Sequence, residues 1–189
     1  MAAWVLADNK KVPEEELKSR MARFRKIMDE RQPEWRLAIF VSKVNMYYFT
    51  GTMQDGFLAI PRDGEAVLWV RRSYERALDE SLFPDIRPMQ SYRDAAQAMG
   101  MFPCPVHMET EKVPLAMYQR MQKYFGFTAC LSLDAEIMAI RAIKSPYELS
   151  CMRRSGQAHK TILEDRVPQV LREGMTEAEL AADLFSIMM

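Results

Sequence analysis

Histidine side chains, which often serve as general bases or metal ligands, are scarce in this sequence. The two histidines are His107, in a short strand-like run, and His159, on the apolar side of a stretch with helical periodicity. A catalytic or metal-binding histidine needs a second ligand or base within reach, and none occurs near His159 in the sequence. We therefore interpret His159 as a core or interface residue of a helix and keep a catalytic role as the alternative.

Acidic residues occur in small groups that do not identify an active site. The groups are Asp29–Glu30, Glu109 with Glu111, and Glu164–Asp165. Charged side chains of this kind most often lie on a solvated surface or at a helix end, and we interpret these groups accordingly. The basic stretch RRSYER at 71–76 is interpreted as the beginning of a helix, with binding of an anionic substrate as the alternative.

Composition and short motifs exclude several classes of function. The chain has 26 Lys and Arg residues against 26 Asp and Glu residues, so bulk charge does not favour nucleic acid or an anionic membrane as a partner. The sequence contains no GxGxxG, GxxxxGK[ST], HExxH or GxSxG motif. These absences leave an ordinary globular protein with no visible catalytic set.

The cysteines and the termini indicate a cytoplasmic protein. Cys104, Cys130 and Cys151 are far apart and form no CxxC pair, which favours reduced thiols over a disulfide or zinc framework. The first 20 residues lack the basic and apolar regions of a signal peptide. No apolar run approaches the roughly 20 residues of a membrane-spanning helix.

Helical and strand-like segments alternate over the first 140 residues or so and predict an α/β fold. A buried strand is predicted at 36–41, and apolar runs on either side of Arg62-Asp63-Gly64 predict a β-hairpin. Because the hairpin adds antiparallel pairing to the βα alternation, we expect a three-layer domain with a mixed β-sheet flanked by helices. Asn45 is predicted to cap a short helix that ends at Gly51, and Ser73 is predicted to cap another.

The pattern changes to helices alone after residue 142. Ser145 before Pro146 predicts a helix start, and Pro168 should kink or end that helix. Thr176 and Glu179 form a predicted capping box for a last helix whose apolar face includes Leu180 and Leu184. We therefore predict two domains, residues 1–142 and residues 143–189.

Three stretches in this part of the chain carry motifs of one family. They are NMYYFTGT at 45–52, AIRAIKSPYELSCMRRSGQAH at 139–159 and REGMTEAELAADL at 172–184. In their order and spacing they resemble the creatinase, aminopeptidase P and prolidase family of metallopeptidases. Arg172-Glu173 departs from the residues that usually precede the glycine of the third motif.

The resemblance implies a two-domain parent enzyme that cleaves proline-containing peptides. Residues 1–142 would be its N-terminal α/β domain, and residues 143–189 would begin its metallopeptidase domain, which has the pita-bread fold. That domain holds two divalent metal ions (manganese, cobalt or zinc) with two Asp, one His and two Glu. None of these ligands can be assigned to the present sequence, so we expect this chain alone to be inactive. A stand-alone protein-interaction module and a small-molecule-binding α/β domain are the alternatives.

The resemblance also implies a role for the loop around TGTMQDG at 50–56. Its candidate residues are Thr50, Gln54, Asp55 and Gly56, which would belong to a substrate cleft contributed to a neighbouring subunit. A plain surface turn is the alternative. We also expect a homodimer, because the apolar helical faces after residue 145 have nothing of their own to cover.

Overall fold

A mixed six-stranded sheet with helices on both faces forms most of the structure, a computed structural model that describes residues 11–188. The helices are α1 (Glu14–Arg31), α2 (Lys43–Thr50), α3 (Tyr74–Glu80), α4 (Tyr92–Met99), α5 (Leu115–Phe125), α6 (Asp134–Ala142), α7 (Pro146–Thr161), α8 (Val167–Val170) and α9 (Glu177–Met188). The strands are β1 (Leu37–Phe40), β2 (Gly56–Pro61), β3 (Val67–Val70), β4 (Ile86–Pro88), β5 (Val106–Met108) and β6 (Cys130–Ser132).

The strand order β4-β3-β2-β1-β5-β6 combines the predicted hairpin with crossover connections. Strands β2 and β3 pair antiparallel, as do β1 and β2, whereas β1–β5, β5–β6 and β3–β4 are parallel. The predicted α/β class and mixed sheet are therefore confirmed. The four residues of β1 are all buried, as expected for a central strand covered on both faces.

Two aromatic clusters hold the helices against the sheet. On one face, the rings of Phe102 and Phe125 stack with centroids 3.9 Å apart, near Phe57 of β2. On the other face, Phe24 of α1 contacts Phe40 of β1 and Phe49 of α2, with centroids 5.2 and 5.4 Å away. Because α1 and α6 also contact each other, helices cover both faces, which gives the predicted three layers.

Two predicted helix caps are wrong, while the predicted helix end at Gly51 is confirmed. Gly51 has φ 75° and its N–H donates to Tyr47 O, so it is the left-handed residue that closes α2. Asn45 lies inside α2, whose N-cap residue is Ser42. Ser73 precedes α3 with φ 60° and ψ 47°, not the extended backbone that aims a cap hydroxyl at the helix N–H groups, and it makes no cap hydrogen bond.

The chain divides into two compact units between Ala142 and Ile143. In the second unit, residues 143–188, reciprocal hydrogen bonds form both predicted capping boxes, Ser145 with Glu148 and Thr176 with Glu179. The α-helical pattern of α7 is interrupted as predicted, by a π-helical segment at Ile162–Arg166 just before Pro168. A proline lacks an N–H and its ring crowds the carbonyl four residues earlier, so the wider turn accommodates it.

Candidate functional site

The loop between α2 and β2 is bounded by two residues that have structural reasons for their identity. The Thr50 hydroxyl is buried and donates to Met46 O at 2.7 Å, so Thr50 completes α2 and does not face a ligand. At Gly56 an added Cβ would lie 1.8 Å from Trp69 O, so only glycine allows β2 to approach β3 there. Thr50 and Gly56 therefore set the course of the loop and leave Gln54 and Asp55 as its candidate polar groups.

Glu80 of α3 fastens one side of this loop. One carboxylate oxygen accepts from Thr52 Oγ1 and from Gln54 Nε2, each at 2.9 Å, and the other accepts from Arg76 Nε at 2.5 Å. Burial by itself would raise the pKa of Glu80, but the hydrogen bonds from Arg76, Gln54 and Thr52 together lower it. An ionised Glu80 thus holds two loop residues in place.

Asp55 fastens the other side of the loop to the end of β3. Its carboxylate accepts from Arg71 Nη2 at 2.7 Å and from Arg71 Nε at 3.1 Å, and its carbonyl accepts from Arg71 N at 2.7 Å. The hydrogen bonds to Asp55 raise the pKa of the Arg71 guanidinium. Two arginines of the 71–76 stretch therefore act on this loop and its anchor, a use that the sequence did not reveal.

A cleft of about 410 Å³ opens beside the anchored loop. Exposed side chains of α2 and of the loop, Tyr47 and Met53, form part of its wall. The other lining residues come from the segment before α1, from α2, from the loop and from α3: Lys11, Val12, Lys43, Gly51, Gln54, Arg76, Asp79 and Glu80. The cleft is therefore rich in charge, with three cationic and two acidic side chains.

A buried polar network fixes the helix that leads into the loop. Glu109 is fully buried and its side-chain oxygens accept from Val41 N at 2.6 Å, Ser42 N at 2.8 Å and Asn45 Nδ2 at 2.5 Å. Arg141 Nη1 in turn donates to Asn45 Oδ1 at 2.9 Å. The asparagine of the 45–52 motif therefore links the start of α2 to β5 and α6.

The interpretation of Glu109 as a surface residue is wrong, whereas the other acidic groups follow the prediction. Glu109 comes just after β5, at the edge where the parallel strands β1 and β5 end and α2 begins, so backbone N–H groups converge on it. Glu111 is exposed, as are Asp29–Glu30 and Glu164–Asp165. The position of Glu109 after a short apolar strand was the available signal.

Neither histidine takes part in a catalytic arrangement within the described residues. His107 is buried on β5, and its Nδ1 has no hydrogen-bond partner in the part of the chain that the structure describes. Burial lowers the pKa of His107, and the buried carboxyl group of Glu136 acts in the opposite direction. His159 is exposed on α7, so it is not part of a core in this chain.

A metal site was also sought over residues 11–188. No three His, Cys, Asp or Glu side chains in this range come together to hold an ion. The residues present therefore do not fit a metal centre, and we assign no chemical step to a metal in this chain. Within the same range, none of the helices has the length and apolar character needed to cross a bilayer.

The sheet, the motif residues and the anchored loop define an N-terminal domain of the creatinase and prolidase type. The chain belongs to this family, since the family model of the Creatinase/Prolidase N-terminal domain matches residues 20–143. An uncharacterized peptidase of Staphylococcus aureus is 26% identical over 169 residues, which cover 85% of this chain and 47% of that protein. The chain thus spans about half the length of the curated relatives it matches.

Solved structures confirm the fold. A prolidase from Pyrococcus furiosus superposes with a TM-score of 0.75 at 23% identity, over 89% of this chain and 52% of that one. The Creatinase/Prolidase N-terminal domain of an X-Pro dipeptidase from Streptococcus pyogenes gives a TM-score of 0.52 at 21% identity, over 64% of this chain and 98% of that domain. At these identities the likeness establishes the architecture alone.

Proposed function

We propose that this chain is the N-terminal, non-catalytic portion of an Xaa-Pro metallopeptidase, a dipeptidase or an aminopeptidase. The observation that carries the proposal is the family match over residues 20–143, together with peptidase relatives that are about twice as long as the region they share with this chain. In this role the first unit shapes a substrate cleft and an oligomer interface. Its substrate in the complete enzyme is a proline-containing peptide.

The hydrolytic chemistry of the complete enzyme belongs to residues other than those described here. The family resemblance implies two divalent ions, manganese, cobalt or zinc, which activate water and polarise the scissile carbonyl. The first test is an assay of residues 1–189 with Xaa-Pro dipeptides and Xaa-Pro-Yaa tripeptides in the presence of each metal. We expect no turnover. Hydrolysis that survives repurification and is abolished by a chelator would refute the proposal.

We place the loop of Gln54 and Asp55 at the cleft of a neighbouring subunit in a homodimer. The anchoring by Glu80 and Arg71 supports this, because a loop that is held rigidly can position its exposed face without an ordering cost on binding. Exposed Met53, at the tip of the loop, is the side chain best placed to meet a substrate or partner.

The loop assignment is tested in the polypeptide from the complete gene, if its reading frame encodes the two Asp, one His and two Glu beyond residue 189. Met53→Ala should change kcat/KM for Xaa-Pro substrates and leave the free energy of unfolding nearly unchanged, because the side chain is half exposed. The control is Asp63→Ala at the tip of the β2–β3 hairpin. Identical kinetics for Met53→Ala and the unmodified enzyme over several peptide lengths would contradict the assignment.

A stand-alone protein-interaction module is the second candidate, and exposed apolar side chains in the second unit favour it. Met152, Leu163 and Phe185 are 55%, 63% and 63% exposed. Such a surface favours association, and the tail helices of two copies would satisfy it as a symmetric pair. Sedimentation of residues 1–189 against residues 1–143 tests this: association confined to the longer chain supports a tail-mediated homodimer, and two equally monomeric chains contradict it.

We also propose a cytoplasmic location for the protein. The three cysteines are free thiols, with Cys104 exposed and Cys130 and Cys151 half-buried, which suits a reducing compartment. Recovery of the protein from cells with all three thiols reactive toward an alkylating reagent after denaturation is the expected result. Disulfide-linked cysteines in freshly extracted protein would contradict it.

A further inference from the structure

The charged cleft beside the α2–β2 loop has the size of a small-molecule site. Its volume of about 410 Å³ falls within the range of ligand pockets, roughly 300–1,000 Å³. Its walls come from separate elements: the segment before α1, helix α2, the loop and helix α3. The loop wall is fixed in advance by Glu80, whose two oxygens accept from three side chains.

Cationic groups of the cleft retain donors that no described residue uses. Lys43 Nζ makes no hydrogen bond or ion pair within residues 11–188, and it is exposed. Lys11 Nζ donates to the Leu78 carbonyl at 3.4 Å, a long contact. Arg76 uses its Nε on Glu80, which leaves its two terminal amino groups for another acceptor.

The acidic groups of the cleft are in opposite situations. Glu80 accepts from Thr52, Gln54 and Arg76 and is fully committed to the fold. Asp79 is exposed and has no ion-pair partner among the described residues, so its carboxylate remains able to accept from a ligand. The cleft therefore offers three cations with unused donors and one carboxylate with unused lone pairs.

We propose that this cleft binds a small zwitterion, an amino acid or a short peptide. The ligand carboxylate meets Lys11, Lys43 and Arg76, its ammonium group meets Asp79, and its side chain lies against exposed Tyr47 and Met53. A ligand with two or more negative charges fits less well, because Asp79 and Glu80 would repel it. This inference deepens the proposed function, since it names a ligand chemistry for the cleft bounded by the same loop.

The test is a titration of residues 1–189 with the dipeptide Ala-Pro, followed by the shifts of backbone amide resonances. Two derivatives isolate the charges: N-acetyl-Ala-Pro lacks the ammonium group, and Ala-Pro amide lacks the carboxylate. We expect shifts that cluster at residues 43–54 and 76–80, with the amide derivative binding most weakly of the three compounds. Equal affinity for Ala-Pro and its amide, or shifts away from the cleft, would overturn the proposal.

Variants that leave the Glu80 anchor intact test the same assignment from the protein side. Because an exposed ion pair is worth up to about 1 kcal/mol, Lys43→Gln and Asp79→Asn should each weaken Ala-Pro binding by up to ~fivefold. Lys112→Gln, an exposed lysine outside the cleft, is the matched control and should have no effect. Equal weakening by Lys112→Gln, or inorganic phosphate binding at the cleft as tightly as Ala-Pro, would refute a zwitterion site.

The binding test is independent of peptidase activity, so the two proposals fail in different ways. Absence of Ala-Pro binding to residues 1–189, with Xaa-Pro hydrolysis by the complete gene product, would overturn the zwitterion site alone. Cleft-specific binding of Ala-Pro, with no hydrolysis by a complete gene product that carries the metal ligands, would support the zwitterion site and remove the proposed function.

Discussion

The two units differ most in where their apolar side chains lie. Every buried residue that the structure describes belongs to the first unit, where both faces of the sheet are covered by helices. In the second unit no residue from 143 to 187 is buried, although its helices carry apolar residues at regular spacing. The first unit is thus specified by a tertiary core, while the described helices of the second unit depend on local interactions such as their capping boxes.

The largest test of this contrast compares two phenylalanines. Phe24 is fully buried between β1 and α2, so Phe24→Ala should reduce the free energy of unfolding of the first unit by about 3–5 kcal/mol. Phe185 on α9 is 63% exposed, so Phe185→Ala should change stability by less than about 0.5 kcal/mol. Urea denaturation followed by circular dichroism measures both.

A loss of 2 kcal/mol or more in Phe185→Ala would break the contrast. It would show that α9 packs against something in solution, and sedimentation of the same sample would reveal whether that is a second copy of the chain. The conservative variant Phe24→Leu is the control for the core site, because it keeps most of the buried volume and should cost less than Phe24→Ala.

A second test uses the buried polar network, a feature of the first unit. Removing the Glu109 side chain leaves the N–H groups of Val41 and Ser42 and the amide of Asn45 without their acceptor. Because each unsatisfied buried donor costs about 1–3 kcal/mol, Glu109→Ala should destabilise the first unit by roughly 3 kcal/mol. Chemical denaturation gives the value, and exposed Glu111→Ala is the matched control with almost no expected change.

The contrast also explains what the sequence could predict. The hairpin around Gly64, the end of α2 at Gly51 and the capping boxes are written in neighbouring residues, and all of them form. The roles of Glu109 and Asn45 were missed because their partners lie 64 to 96 positions apart in the sequence and meet only when β1, β5 and α6 assemble. The anchoring of Gln54 by Glu80 escaped prediction for the same reason, at a separation of 26 positions.

Stability of the first unit should depend on pH through His107. Burial lowers the pKa of this histidine below its usual 6.5, so between the two values the unfolded chain binds more protons than the folded one. Stability is therefore complete above about pH 6.5 and declines as the pH falls below it. Denaturant midpoints measured from pH 7.5 to 5.5 cover this window while staying above the usual pKa of 4.5 for carboxyl groups such as Glu80.

Variants of the two histidines separate the contribution of the core from that of the surface. His107→Gln is neutral at every pH and should flatten the decline, whereas His159→Gln on exposed α7 should leave it unchanged. A decline that persists in His107→Gln but disappears in His159→Gln would place the titrating group in the second unit and reverse the contrast between the units.

The smallest expected effect concerns the local interactions of the second unit. Thr176 Oγ1 accepts from Glu179 N at 3.3 Å, and Glu179 Oε2 accepts from Thr176 N at 2.8 Å, so Thr176→Ala removes one half of this capping box. Loss of a side-chain cap costs about 1 kcal/mol of helix stability. For a helix without a buried face this is a large fraction of the total, so hydrogen exchange at 177–188 should accelerate several-fold while exchange in the sheet stays unchanged. Ser186→Ala, an exposed serine in the same helix, is the control and should slow exchange slightly or leave it alone, because alanine is the better helix former. Unaltered exchange in Thr176→Ala would mean that packing, and not the cap, holds α9.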